Sequence, residues 1–168
     1  MNNPKSDPAN NVHPDENYAR EVMQLFLIGL YELNTDGSRK VDANGDFIPT
    51  YDNDDIREFA KIFTGFGDGH PNGEWLVFGE EDVFSSSRLP MKMYEQHHEP
   101  GEKKLLNGQI VPGGQTGMQD FNDAMDNLSN HPNAGPFIGK ALIQMMVSAN
   151  PSPEYINRVA SMFNNNGQ

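Results

Sequence analysis

Apolar residues recur along this chain in short bursts at helical spacing, separated by long polar and glycine-rich stretches. The first burst carries Tyr18, Val22, Phe26, Leu30 and Leu33 at steps of three and four, the period of a helix with one buried stripe. Leu25, Leu27 and Ile28 widen that stripe. The pattern therefore predicts a helix at Tyr18 to Leu33, buried on most sides and central in the fold, with Phe26 in its buried surface. Asp15 is its expected cap, and Glu16 adds negative charge to its first turn. A second burst, Ile56, Phe59, Ala60 and Phe63, opens in the acidic run Asp52, Asn53, Asp54, Asp55 and stops at Gly65.

Three further helices close the chain. Phe121, Ala124, Met125 and Leu128 share one face, and that helix ends before His131-Pro132. Ile138, Ala141, Leu142 and Met145 form the expected buried face of the next, with Asn133 as cap and Pro136 in its first turn. The last starts at Ser152-Pro153, a cap followed by proline at the first helical position, and buries Ile156, Val159, Ala160 and Phe163.

Between the bursts, turn dipeptides mark hairpins. Asp36-Gly37 and Asn44-Gly45 flank short β-prone stretches, and Leu105-Leu106 and Ile110-Val111 surround Asn107-Gly108. The segment 65–117 reads as irregular, with a strand at 74–78. Residues 1–14 are polar and proline-containing and read as a flexible arm, and the last residues, NNNGQ, as a frayed end. The fold expected is mainly α: about five helices on one core, with one or two small β-hairpins, in a single domain over residues 15–168.

Composition narrows the class of function. The chain has 168 residues, 24 acidic against 12 basic, for a net charge of −12. Nucleic acid is excluded as a partner by this balance and by the scatter of the basic residues, because duplex binding needs clustered Lys and Arg. No apolar run approaches the roughly 20 residues that span a bilayer, so membrane insertion is not expected. The absence of cysteine removes disulfides and thiolate metal sites.

One cluster carries the side chains that chemistry needs. His97, His98, Glu99 and Glu102 combine imidazole and carboxylate, which suit a divalent metal such as Zn²⁺ or Mn²⁺ or can move a proton near neutral pH. The metal set is His97, His98 and Glu102. Pro100-Gly101 forbids the helix that an HExxH zinc site requires. The turn could fold Glu102 back toward His98, with Lys103 offsetting surplus carboxylate charge. The bland alternative is a polar turn held by hydrogen bonds. Arg20 and Glu21, beside Glu16 and Asn17, form a polar patch on the apolar first helix. A cap with a Glu16–Arg20 pair explains it structurally, whereas a cleft would let Arg20 grip a carboxylate or phosphate.

Other features are weaker. Asp42, Asn44 and Asp46 imitate an EF-hand start, but Phe47 and Asn53 stand where that loop needs Gly and Glu, so a hairpin turn is the reading. Ser85, Ser86 and Ser87 lie in a polar loop that only the fold could bring to a histidine. His131 reads as structural, and His13 and His70 support no role. No nucleophile elbow, P-loop or dinucleotide fingerprint occurs.

The segments PDENYAREVMQLFLIGL, TYDNDDIREFAKIFTGF, HHEPGEKKLLNG and HPNAGPFIGKALIQMMVSANPSPEYINRVASMF resemble, in the same order, those of the bacterial family called domain of unknown function 1800. The resemblance covers nearly the whole chain after Pro14. It implies relatives that are longer, exported proteins with helical sequence before the first block and a continuation after the last. The chain thus reads as a C-terminal portion or a short member, located in the periplasm or outside the cell. Apolar surface left open by such a truncation is expected to drive self-association. The family supplies fold and context but no settled activity.

Two functions follow as expectations. One is hydrolysis of a small-molecule ester. In it His98 acts as base or metal ligand, Glu99 or Glu102 as its partner, and Arg20 with Glu21 holds an anionic group. The other is a non-catalytic structural or binding module of the cell envelope. Convergence of Arg20, Glu21, His98 and Glu102 on one concave site favours the first, and local partners for each favour the second.

Overall fold

A computed structural model describes residues 3–69 and 89–165. The expected strand at 74–78, His70, the serines 85–87 and the last three residues lie outside them. Among the described residues 48% are helical, with five helices and two small antiparallel sheets. These are α1 (Glu16–Glu21), α2 (Asn53–Ile62), β1 (Phe66–Gly67), β2 (Lys92–Met93), β3 (Lys103–Lys104), β4 (Ile110–Val111), α3 (Gly117–Ser129), α4 (Ala134–Met146) and α5 (Pro153–Asn164). The mainly helical class and its small hairpins match the apolar periodicity. The described residues fall into two compact units: Met1–Ala19 with Asn53–Met125, and Arg20–Asp52 with Asp126–Gln168.

In the first unit, α2 is the amphipathic helix that its spacing predicts. Ile56, Phe59, Ala60 and Phe63 are all buried, and the helix packs against β3. Edge-to-face ring contacts extend this core: Tyr18 on Phe63 at 4.9 Å and Phe121 on Phe66 at 5.1 Å. The second hairpin forms around Asn107-Gly108, both with positive φ, as such a tight turn requires. Its ladder pairs Lys103 with Val111 and Lys104 with Ile110. Thr116 and Gln119 form a reciprocal capping box at the start of α3, with Thr116 N donating to Gln119 Oε1 at 3.0 Å. The segment expected as a flexible arm is tied down. Gly65 N donates to Asn3 O, Lys5 N donates to His97 O, and Asn3 is itself buried. Its polar groups serve as hydrogen-bond partners, which composition alone does not reveal.

In the second unit, α4 packs on α5 and on a π-helical turn, Val22–Leu27, that continues α1. That turn corrects the expected first helix. Ile28 N donates to Met23 O, five residues back, so side chains leave the 3.6-residue register. The buried positions become Met23 and Ile28, and Phe26 is 67% exposed rather than central. Helix α4 is also turned about its axis relative to expectation. Gly135, Gly139 and Ile143 are buried, whereas Leu142 and Met145 are exposed. The cause is close approach: a Cβ at Gly135 would stand 2.9 Å from Ala160 O, and one at Gly139 3.1 Å from Val159 Cγ1. Small residues let the helix axes near each other, and that contact outweighs the larger apolar face. Helix α5 follows its pattern, with Ile156 and Ala160 buried and the Ser152 side chain accepting from Tyr155 N. The Asn44-Gly45 turn is closed by Asp42, whose Oδ1 accepts from Asn44 N at 2.8 Å and Asp46 N at 3.0 Å. The pseudo-EF-hand residues therefore build a turn.

Candidate functional site

His98 follows a 3₁₀ turn, Glu95–His97, with extended backbone, and its side chain is 2% exposed. Two glycines make room for it. Gly65, with φ of +84°, ends the turn after α2, and a Cβ there would lie 3.1 Å from His98 Cβ. Gly117 starts α3, and a Cβ there would lie 3.0 Å from His98 Cγ. The imidazole is thus held between the end of one helix and the start of another.

Both ring nitrogens have partners. Nδ1 stands 2.9 Å from Thr64 O; a carbonyl only accepts, so Nδ1 donates in this contact. Nε2 stands 3.0 Å from Asp120 Oδ2 and 3.5 Å from Lys103 Nζ. Lys103 donates to Asp120 Oδ2 and to Glu99 O, and the side chains of both Lys103 and Asp120 are 1% exposed. Gln115 Nε2 donates to Asp120 Oδ1 at 3.0 Å. Thr64 Oγ1 donates to Lys61 O at 2.6 Å and accepts from Glu99 N at 2.8 Å. Burial works to raise the Asp120 pKa. The hydrogen bonds from Lys103, His98 and Gln115, with the Lys103 charge, more than offset it and hold the carboxyl below its ordinary value.

Among the side chains of the remaining sequence candidates, the Glu99 carboxylate accepts from Ser6 N at 3.0 Å and Ser6 Oγ at 2.8 Å. Glu102 is exposed. His97 is half-buried, and burial followed by the Lys5 charge lowers its pKa. Among the described residues no group of three or more His, Asp or Glu side chains is arranged to hold a metal ion. The set His97, His98 and Glu102 is therefore not assembled, because the His98 ring is turned inward to Asp120 and Thr64. Arg20 and Glu21 belong to the second unit, where both bear on Tyr51. Burial raises the Tyr51 pKa, the Arg20 charge lowers it and the Glu21 charge raises it.

The chain matches the family described as protein of unknown function (DUF1800) over residues 1–168. It belongs to the DUF1800 family. No curated relative and no solved structure matches this DUF1800 chain. None of its described helices is long and apolar enough to cross a membrane.

Sequence reasoning missed three polar residues of this DUF1800 chain. Asp120 lies one turn before Ala124 on the apolar stripe of α3, and a carboxylate on a buried stripe is the signal that marks it. Thr64 gave none, since its role is that of backbone and hydroxyl at a helix end. Asn133, read as a helix cap, instead donates to Ile28 O at 2.9 Å and Tyr31 O at 2.8 Å and accepts from Leu33 N at 2.9 Å. It fixes the irregular chain after the π turn.

Proposed function

We propose that this DUF1800 chain is a non-catalytic structural and binding module, and that the His98 cluster holds the fold instead of turning over a substrate. The observation that carries this reading is the closure of His98: both ring nitrogens have partners and the side chain is 2% exposed. A general base needs a nitrogen within hydrogen-bond reach of the proton it removes. The 3.0 Å contact with Asp120 has the form of an oriented base, but the nitrogen that a nucleophile needs is the one facing Asp120. Glu102 is exposed, and the Glu99 carboxylate is engaged by Ser6. In this reading the module works in the bacterial cell envelope, the location that the family resemblance led us to expect.

The test is a hydrolase panel of activated esters and phosphoesters run beside thermal melting, on wild type and His98→Ala. The module reading expects no turnover from either protein and a loss of stability of ~1–3 kcal/mol in the variant, from partners left unsatisfied. Turnover by wild type that vanishes in His98→Ala at unchanged melting temperature overturns it.

A further inference from the structure

The second unit contains an open cleft of about 770 Å³ lined by Leu30, Tyr31, Arg39, Phe47, Phe137 and Lys140, among others. Its size is within the ~300–1,000 Å³ of ordinary small-molecule sites. Its chemistry is mixed in a particular way. Tyr31 and Phe47 stand with ring centroids 5.4 Å apart, and the Arg39 guanidinium lies over both, 4.8 Å from one centroid and 4.9 Å from the other. Isolated β-bridges, Leu33 with Arg39, Val41 with Phe47 and Tyr31 with Pro49, hold these three residues in register. Arg39 is therefore positioned by two rings. Among the described residues it has neither a hydrogen-bond acceptor nor an ion-pair partner.

Lys140, on α4, is half-buried and likewise lacks an ion-pair partner among the described residues. The acidic group its charge bears on is Asp36, whose Oδ1 already accepts from Ser38 N and Ser38 Oγ. In a chain of net charge −12, most cations are expected to sit beside carboxylates. Arg39 has no carboxylate partner and Lys140 forms no ion pair with Asp36, so on one apolar cleft the two leave positive charge available to an anion. A planar guanidinium fixed on aromatic faces keeps its N–H edges open for bidentate contact with an oxyanion.

We infer that this cleft binds a small organic anion. Its carboxylate, phosphate or sulfonate meets Arg39 and Lys140, and its flat apolar body lies against Tyr31, Phe47 and Phe137. The inference rests on the module reading above and deepens it by naming the ligand class. It distinguishes the cleft from a general apolar surface, which takes uncharged molecules equally well. It also distinguishes it from a sugar-binding platform, for which ligand charge is irrelevant.

The probes are 1-anilinonaphthalene-8-sulfonate and its uncharged counterpart N-phenyl-1-naphthylamine, titrated by fluorescence against wild type, Arg39→Gln, Lys140→Gln and Phe47→Ala. Circular dichroism checks that each variant is folded. The sulfonate should bind saturably and be displaced by 1-naphthoate and 1-naphthyl phosphate but not by 1-naphthylmethanol. Its affinity should fall about tenfold in Arg39→Gln, the scale of one charge-assisted contact, and fall also in Lys140→Gln. Phe47→Ala should weaken both probes, whereas the two charge variants should leave the neutral probe within about twofold of wild type. Equal sulfonate affinity in wild type and Arg39→Gln, displacement by the neutral alcohol, or no saturable binding overturns the inference. Any of these results in a protein still inert to esters removes the ligand class alone. Ester turnover lost in His98→Ala removes the module reading itself.

Discussion

His98 Nε2 and Asp120 Oδ2 stand 3.0 Å apart with neither side chain more than 2% exposed. Asp120 also receives Lys103, so one carboxylate joins a histidine from the loop after β2, a lysine from β3 and the first turn of α3. Burying these groups is costly and is offset by their mutual hydrogen bonds. The cluster consequently ties three segments of the first unit to one point.

Removing one member should therefore cost more than removing the charge altogether. Asp120→Ala leaves the Lys103 ammonium buried without its carboxylate and should destabilise by ~3–5 kcal/mol, measured by urea unfolding. The double variant Lys103→Met/Asp120→Leu should cost less than the sum of the two single changes, because it leaves no orphaned charge. Additive losses would show that the two groups do not depend on each other.

Stability should fall with acid in two stages of the same sign. Burial first, then the Lys40 charge against the opposing Glu32 charge, holds the His131 pKa below 6.5, and His97 is lowered likewise. A histidine with a depressed folded pKa binds its proton more readily when unfolded. Its contribution is present above pH 6.5 and is lost as pH falls through the folded value. Asp120, depressed below 3.8, contributes above that pH and loses its contribution as pH falls through its own folded value. Urea midpoints should decline below pH 6.5 and again below 3.8. The double variant His97→Asn/His131→Asn should flatten the first decline between about pH 5 and 7. An unchanged first decline would place its origin elsewhere.

Phenylalanine truncations should separate the two helices that the apolar pattern treats alike. Phe59 is fully buried, and Phe59→Ala should cost ~3–5 kcal/mol. Phe26 is 67% exposed, and Phe26→Ala should stay within about 1 kcal/mol of wild type. Equal losses in thermal or urea unfolding would contradict the π-turn register.

What the pattern made legible, and what it hid, follows from how far each residue reaches. Ile56, Phe59, Ala60 and Phe63 announced α2 because their burial depends on one period within one helix. Ser152-Pro153 announced α5, and Asn107-Gly108 the hairpin, for the same local reason. The stripe of Tyr18, Val22, Phe26 and Leu30 misled because a π turn changes the period inside the segment. Leu142 and Met145 misled because Gly135 and Gly139 give α4 a closer contact on its other side, and a pattern of large apolar residues does not weigh small ones. At the site, His98 was visible as chemistry. Its partners were not, since Thr64 and Asp120 are 34 and 22 residues away and only the fold joins them. The carboxylates of Glu99 and Glu102, its sequence neighbours, do not join it: Ser6 engages one and the other is exposed.

His98 is closed to solvent in the folded protein, and carbethoxylation by diethyl pyrocarbonate measures that directly. Modification read per histidine by mass spectrometry should label exposed His13 in the native protein and leave His98 unlabelled until urea unfolds the chain. Labelling of His98 in the native protein at the rate of His13 would contradict the closed cluster and return the histidine to the list of available bases.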